Sequence, residues 1–119
     1  MAAAGVIINT FSDADFARAF QWWINEVPFD FTGYGMVMMV RKNVDDAEVF
    51  LTLSTENGKI DYTPDTDGKL TTFNVRILRT DTSEMPPGDY VHSLILLRPD
   101  GIHDDIWRGV LIHAIGPTR

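Results

Sequence analysis

The chain of 119 residues contains no cysteine. Disulfides, thiolate catalysis and cysteine-based zinc sites are therefore excluded. It also lacks a long hydrophobic run, since the longest, Met36–Val40, is far shorter than the roughly 20 residues of a membrane-spanning helix. The N-terminus has no basic segment ahead of its short apolar stretch, so it does not resemble a signal peptide. We therefore expect a soluble protein that is made in a cytoplasm and does not enter a membrane.

Basic residues are few. Ten Lys and Arg stand against 17 Asp and Glu, which gives a formal net charge of −7. A negative field repels phosphate, so no nucleic-acid partner is expected. Hydrophobic residues make up 45% and charged residues 23% of the chain, which are the proportions of an ordinary globular domain. A chain of this length is expected to form one domain with one core.

Apolar residues at helical spacing are also scarce. Apolar and polar residues instead alternate with a period of two, in segments that end at Gly, Pro, Asn or Asp, which is typical of β-strands. This alternation predicts an all-β fold with strands at 15–23, 34–41, 48–54, 60–63, 69–78, 89–98 and 102–115, and an extended edge segment at 27–31. About seven or eight strands at such spacing favour a sandwich or a small barrel, and we expect an antiparallel sandwich. We place this domain at residues 14–119, behind an N-terminal arm of residues 1–13, with at most one short helical turn at 79–85.

The inward positions of these strands predict the core. They are Phe20, Val49, Leu51, Leu53, Phe73, Val75, Ile77, Tyr90 and Leu111. Tyr90 follows Pro87-Gly88 and is expected to act as a corner tyrosine, with its hydroxyl bonded to the backbone. Asn57-Gly58 is the strongest turn signal, because Asn-Gly suits a type I′ hairpin.

No catalytic, cofactor or metal site is predicted. His92 and His113 lie on adjacent predicted strands, but a metal site needs a third ligand at fixed geometry. His103 and the two acids after it cannot converge, since successive strand residues point to opposite faces. The run 65–68 resembles half of a calcium loop, but Thr63 breaks its pattern, so a hairpin turn is expected instead. Serines have no nucleophile-elbow context.

Two apolar segments suggest a contact with another protein chain. Trp22 and Trp23 are adjacent in a predicted strand, so their rings are expected on opposite faces. The run Met36–Val40 is apolar on both faces as well, whereas a sandwich strand normally has one solvated face. Methionine-rich surfaces suit adaptable contacts. The candidate contact residues are Trp22, Trp23, Met36, Met38 and Met39. The alternative is that loops or the N-terminal arm cover the second face.

Four segments, in order, resemble motifs of one family. Residues 22–34 look like the "x-G-x-P-x-D-L-T-G-A" opening of small structural proteins of tailed phages and prophages. Residues 53–60 resemble their "L-S-T-x-N-G-x-I" turn, and 85–92 their "L-P-x-G-x-Y-V-Y" stretch. Residues 107–119 are similar to their "L-x-G-x-V-x-V…G-V-T-R" terminus. The likeness covers roughly residues 14–119. The chain departs from the pattern in two ways: His92 and His113 replace tyrosine or apolar residues, and the third strand is rich in methionine.

The resemblance implies an immunoglobulin-like sandwich akin to the N-terminal domain of phage baseplate upper proteins. It also implies a non-enzymatic virion protein, made in the bacterial host cytoplasm. Such a protein would dock to other virion proteins of the tail or baseplate, the connector or the capsid surface, or to copies of itself. The family has no catalytic residues to carry over. Two alternatives stay open, namely a stand-alone module that binds a ligand such as carbohydrate through exposed aromatics, and a small hydrolase with an unrecognised site.

Overall fold

Ten strands form within residues 4–118. The structure is a computed structural model that describes residues 4–118. The strands are β1 Ala4–Phe11, β2 Phe16–Gln21, β3 Trp23–Ile24, β4 Val27–Pro28, β5 Gly35–Arg41, β6 Leu51–Ser54, β7 Ile60–Pro64, β8 Leu70–Ile77, β9 Gly88–Leu97 and β10 His103–Ala114. Among residues 4–118 no helix occurs, and hydrogen-bonded turns occupy the segment where one helical turn was allowed. The described chain accordingly offers no helix that could span a membrane.

Two main sheets carry the fold. One has five strands in the order β1-β10-β9-β5-β6, and the other has three in the order β2-β8-β7. A separate two-stranded hairpin is formed by β3 and β4. In an immunoglobulin-type sandwich, strands C, F and G lie in one sheet and B, E and D in the other. In this protein the positions of strands C, F and G are taken by β5, β9 and β10, and those of strands B, E and D by β2, β8 and β7. The predicted all-β sandwich is thus confirmed.

Residues 4–11 of the predicted N-terminal arm are a strand of the larger sheet, and residues 1–3 lie outside the described chain. β1 pairs with β10 in parallel along its whole length. The close approach depends on Gly109, because a Cβ there would lie 1.8 Å from the Val6 carbonyl oxygen. A parallel pair needs a long connection between its strands, and nearly the whole domain supplies it. The arm is therefore an edge strand from residue 4 onward, and the sandwich is not purely antiparallel.

The core lies between the two main sheets, where the predicted alternation places one face of each strand. Seven of the predicted core residues are buried: Leu51, Leu53, Phe73, Val75, Ile77, Tyr90 and Leu111. Two predictions were wrong. Phe20 is only half-buried at the margin of the core, although its ring stacks on that of Phe73. Val49 precedes β6 in irregular chain and is half-buried, because Phe50 packs against the Tyr90 ring instead.

Phe31 is the centre of an aromatic cluster that sequence reasoning left out of the core. Its side chain is fully buried, and its ring centroid lies 5.0 Å from that of Phe29 and 5.6 Å from that of Tyr62. The Phe31 amide donates to the Leu70 carbonyl oxygen at 2.8 Å. Next to it, the Asp30 carboxylate accepts hydrogen bonds from Thr32 and from the Leu70 amide. The segment between the hairpin and β5 is thereby anchored to β8.

The strongest turn signal of the sequence lies in a crossing between sheets. Asn57-Gly58 links β6 of the larger sheet to β7 of the smaller one. A type I′ hairpin needs positive φ at both central residues, but here only Gly58 has it, at 80°. The Asn57 side chain instead accepts hydrogen bonds from the Ser54 and Lys59 amides. The predicted turn at Asn57-Gly58 is present, but the predicted hairpin is wrong, because β6 and β7 belong to different sheets.

We expect the Leu51→Ala substitution to lower the free energy of unfolding by about 2–5 kcal/mol, because it leaves a cavity in the core. Leu51 is 6% exposed, whereas its neighbour Thr52 points outward. The matched variant Thr52→Ala should change the free energy of unfolding by less than about 0.5 kcal/mol. Urea titrations of both variants provide the measurement. Equal effects would contradict the inward orientation of Leu51.

The Tyr90 hydroxyl makes the predicted corner bond. It donates to the Pro86 carbonyl oxygen at 2.5 Å, and the ring is buried. We expect Tyr90→Phe to lower the free energy of unfolding by about 1 kcal/mol, since a hydrogen bond is lost while the ring volume is kept. Thermal and urea unfolding would measure the loss. No change in either would mean that water replaces the bond at no cost.

Candidate protein-contact surface

The five candidate contact residues do not form one surface. Met36 and Met38 are fully buried, so they belong to the core and their assignment to a contact was wrong. β5 alternates as any strand of a sandwich does, and its inward face takes Met36, Met38 and Val40. Met39 points outward and is 40% exposed. Of the methionines in this strand, only Met39 is available to a partner.

The two tryptophans lie on opposite sides of the chain. Trp22 is half-buried, with its ring centroid 5.3 Å from that of Phe29 and 6.4 Å from that of Phe31. Trp23 is 56% exposed, and its Nε1 donates to the Gln21 side-chain oxygen at 3.1 Å. The two rings point to different sides of the chain, as expected. The cause is different, however, because β2 ends at Gln21 and Trp23 begins the separate hairpin.

The hairpin, which we call the tip hairpin, comprises Trp23–Pro28. Trp23 pairs with Pro28 and Ile24 with Val27, so the turn consists of only Asn25 and Glu26. Both turn residues have positive φ, at 51° and 67°, as a type I′ turn requires. A glutamate in this region is uncommon. Because Val27 is 61% exposed on one face of the ribbon and Trp23 is exposed on the other, the tip hairpin projects from the sandwich.

The larger exposed apolar area lies on the outer face, by which we mean the side of the five-stranded sheet that points away from the three-stranded sheet. Ile7 of β1 is 64% exposed there and pairs with Val110 of β10, which in turn pairs with Val91 of β9. Further apolar side chains surround this row: Val37, Met39, Ile95 and Ile112. The outer face is therefore apolar across four strands, which is unusual for a solvated sheet face.

A groove of about 390 Å³, the sheet groove, runs over the outer face across β5, β9 and β10. Its apolar walls are Val37, Met39, Val44, Val91 and Ile95. Val44 comes from the loop after β5, and Arg41 holds that loop by donating to the Asp46 and Ala47 carbonyl oxygens at 2.7 and 3.0 Å. The groove is thus a property of the folded sheet and its loop.

Two arginines lie in the wall of the sheet groove. Arg41 and Arg108 both line it, in a chain whose net charge is −7. Arg108 pairs with Asp105 at 2.7 Å, and the two side chains are 62% and 38% exposed. Exposed ion pairs of this kind stabilise a fold by little, so both partners remain available for a new contact.

Sequence reasoning missed the contribution of β1 and β10 to the outer face. The signal was present in Val110-Leu111-Ile112, where apolar residues occupy both faces of the last strand as they do in 36–40. Because residues 1–13 were predicted to be an arm outside the sandwich, Ile7 was not expected on a sheet face. Only the parallel pairing of β1 brings Ile7 beside Val110.

The histidines do not converge on a metal. His92 lies opposite Gly109, and His113 lies four residues further along β10, which is about 13 Å. Among residues 4–118 no group of three or more histidine, cysteine or acidic residues is placed to hold a metal ion. His113 Nδ1 is hydrogen-bonded to Thr10 Oγ1 at 2.8 Å, and His92 Nε2 lies 3.3 Å from the Val110 carbonyl oxygen. Both rings help to join β1, β9 and β10.

Burial lowers the pKa of both His92 and His113 below the ordinary value of 6.5. The unfolded chain then binds protons at a higher pH than the folded chain does. We therefore expect the free energy of unfolding to be highest above about pH 6.5 and to fall as the pH drops below it. Urea titrations at several pH values measure this slope.

The double variant His92→Gln/His113→Gln is the control for this slope. It should lose less of its free energy of unfolding than the wild type between about pH 7.5 and 5.5, because neither glutamine titrates. If the wild-type free energy of unfolding is flat over this range, or if the double variant keeps the full slope, the buried histidines do not set the pH dependence.

No protein-family model matches this chain, and no curated protein matches it.

Proposed function

We propose that this protein is a non-enzymatic structural component of a tailed-phage virion, which docks to other virion proteins or to copies of itself through its outer face. The observation that carries the proposal is the set of outward-facing apolar side chains that β1, β10, β9 and β5 place side by side, with Ser93 and two arginines among them. Monomeric proteins rarely expose a contiguous apolar patch of several strands, and larger patches mark interaction sites.

The composition of the outer face favours a protein partner. Protein interfaces are rich in methionine, arginine and apolar residues at their centre and poor in lysine and glutamate. The sheet groove has this character, with Met39 between two arginines and several branched aliphatic residues. Sugar binding through stacked rings needs exposed aromatic faces, but the walls of the groove are aliphatic and the exposed Trp23 lies outside it. We therefore favour a protein contact over a carbohydrate-binding module.

The virion assignment is supported by the resemblance to phage structural proteins. Its motifs fall on features that build the sandwich, such as the corner tyrosine in 85–92 and the sheet crossing in 53–60. They describe a domain type that phages use for docking, and the outer face supplies a surface for it. Virion proteins act in symmetric assemblies, in which a modest contact repeated around a ring becomes strong through multivalency.

The test is whether the chain is part of the particle and needs its outer face to stay there. Particles from the phage that encodes it are purified, and the copies of the chain per particle are counted by mass spectrometry. We expect an integer multiple of the particle symmetry for the wild type. We expect Met39→Asp to reduce incorporation at least about tenfold, since it replaces an apolar side chain of the contact by a hydrated carboxylate.

Ala19→Asp is the matched control. Ala19 is exposed on β2, in the other sheet, so the same charge is introduced away from the outer face. This variant should be incorporated like the wild type. Absence of the wild-type chain from purified particles would overturn the virion assignment, and equal incorporation of both variants would overturn the role of the outer face.

A further inference from the structure

We propose that the tip hairpin of one copy inserts into the sheet groove of a second copy, so that the protein associates head to tail with itself. This inference rests on the proposed structural function and specifies the partner of the outer face. Two features of the same chain support it. One is the projecting tip hairpin, which is apolar and has Glu26 in its turn. The other is the sheet groove, which is apolar and has Arg41 and Arg108 in its wall.

The tip hairpin has the features of an inserted element. Trp23 and Val27 expose apolar surface on its two faces, so both faces gain by burial. A tryptophan buries about 150–250 Å² when it is enclosed, which makes it a strong anchor in a contact. The two-residue turn keeps the element narrow, since paired strands lie only about 5 Å apart.

The sheet groove has the features of the acceptor. It is open to solvent, has a volume of about 390 Å³ and is walled by aliphatic side chains from β5, β9 and the loop that carries Val44. Met39 on its wall is unbranched and adapts its shape to a neighbouring ring. An apolar hairpin is therefore suited to fill this space.

Charge decides between the possible partners. Two copies with a net charge of −7 repel each other, so their contact needs opposite charges at the point of approach. Glu26 lies in the exposed turn of the tip hairpin, and Arg41 and Arg108 line the sheet groove. Insertion brings this carboxylate to the arginines. A face-to-face pairing of two outer faces would leave Glu26 outside the contact, because the tip hairpin does not line that face.

One copy cannot fill its own groove. The tip hairpin follows β2 of the three-stranded sheet, and the sheet groove lies on the outer face of the opposite sheet. None of the residues that line the sheet groove belongs to the tip hairpin, so the groove is not filled by the hairpin of its own copy. Each copy thus offers one donor and one acceptor, and repetition of such a heterologous contact closes into a ring or continues as a filament.

Mixing two singly blocked variants tests this arrangement. Trp23→Ser removes the donor and keeps the groove, whereas Met39→Asp blocks the groove and keeps the donor. Sedimentation velocity over a concentration series is expected to show oligomers for the wild type and monomers for each variant alone. An equimolar mixture is expected to form dimers and nothing larger, because one intact donor meets one intact acceptor. A face-to-face contact would instead let Trp23→Ser dimerise alone, because that variant keeps its outer face intact.

A charge exchange provides the second measurement. Glu26→Arg and Arg108→Glu should each raise the dissociation constant at least about tenfold, and the double variant should regain most of the affinity. Two control variants should associate like the wild type. Glu56→Arg reverses an exposed charge in the turn after β6 and is the control for Glu26→Arg. Ile115→Ser removes an exposed apolar side chain beyond β10 and is the control for Trp23→Ser. Unchanged melting temperatures confirm that each variant is folded.

The inference fails if the wild type stays monomeric at all concentrations, if the mixture of blocked variants does not dimerise, or if the double charge variant is weaker than both single ones. These outcomes are separate from those of the particle experiment. A chain that is found in particles but does not associate with itself keeps the proposed function and refutes the head-to-tail contact.

Discussion

The burial of Phe31 between the two sheets is the constraint on which the placement of the contact surfaces depends. Its ring fills the interior beside Phe29, Tyr62 and Phe73, and its amide is bonded to Leu70 of β8. To complete this cluster, Trp22 turns inward, so β2 ends and the next residues leave the sheet as a hairpin. The exposed Trp23 follows from the packing of its neighbour.

The second constraint is the parallel pairing of β1 with β10, which widens the sheet to five strands. It requires the bare backbone of Gly109 and the buried bond between Thr10 and His113. Because β1 carries Ile7 on its outward side, the pairing extends the apolar outer face to the edge of the sheet. Burial lowers the pKa of the same histidine, so we expect the stability of this edge to depend on pH. The surface proposed for docking and the group that responds to acid are therefore parts of one structural unit.

The alternation of apolar and polar residues correctly predicted which side chains are buried in strands that pack with one face against the core. In β8 and β9 every predicted inward residue is buried, because the period of two determines which face points inward once a core exists. The same rule explains Met36–Val40, in which Met38 is buried and Met39 is exposed. It failed at Val49, since periodicity does not show where a strand begins, and at Asn57-Gly58, since a turn signal does not show which sheet the next strand joins.

The sequence by itself determined the fold class, most of the core, the corner tyrosine and the presence of apolar residues beyond what one core can bury. These depend on local properties, namely side-chain period, turn chemistry and composition. Only the tertiary structure decided that residues 4–11 form a sheet edge, that Met36 lies in the core, and that the tip hairpin lies outside both main sheets, apart from the sheet groove. The reason is physical: the sheet edge and the core depend on pairings between distant residues, such as Val6 with Gly109 and Met36 with Leu96. The place of the tip hairpin depends on how Trp22 packs against Phe31. Local sequence carries no record of such contacts.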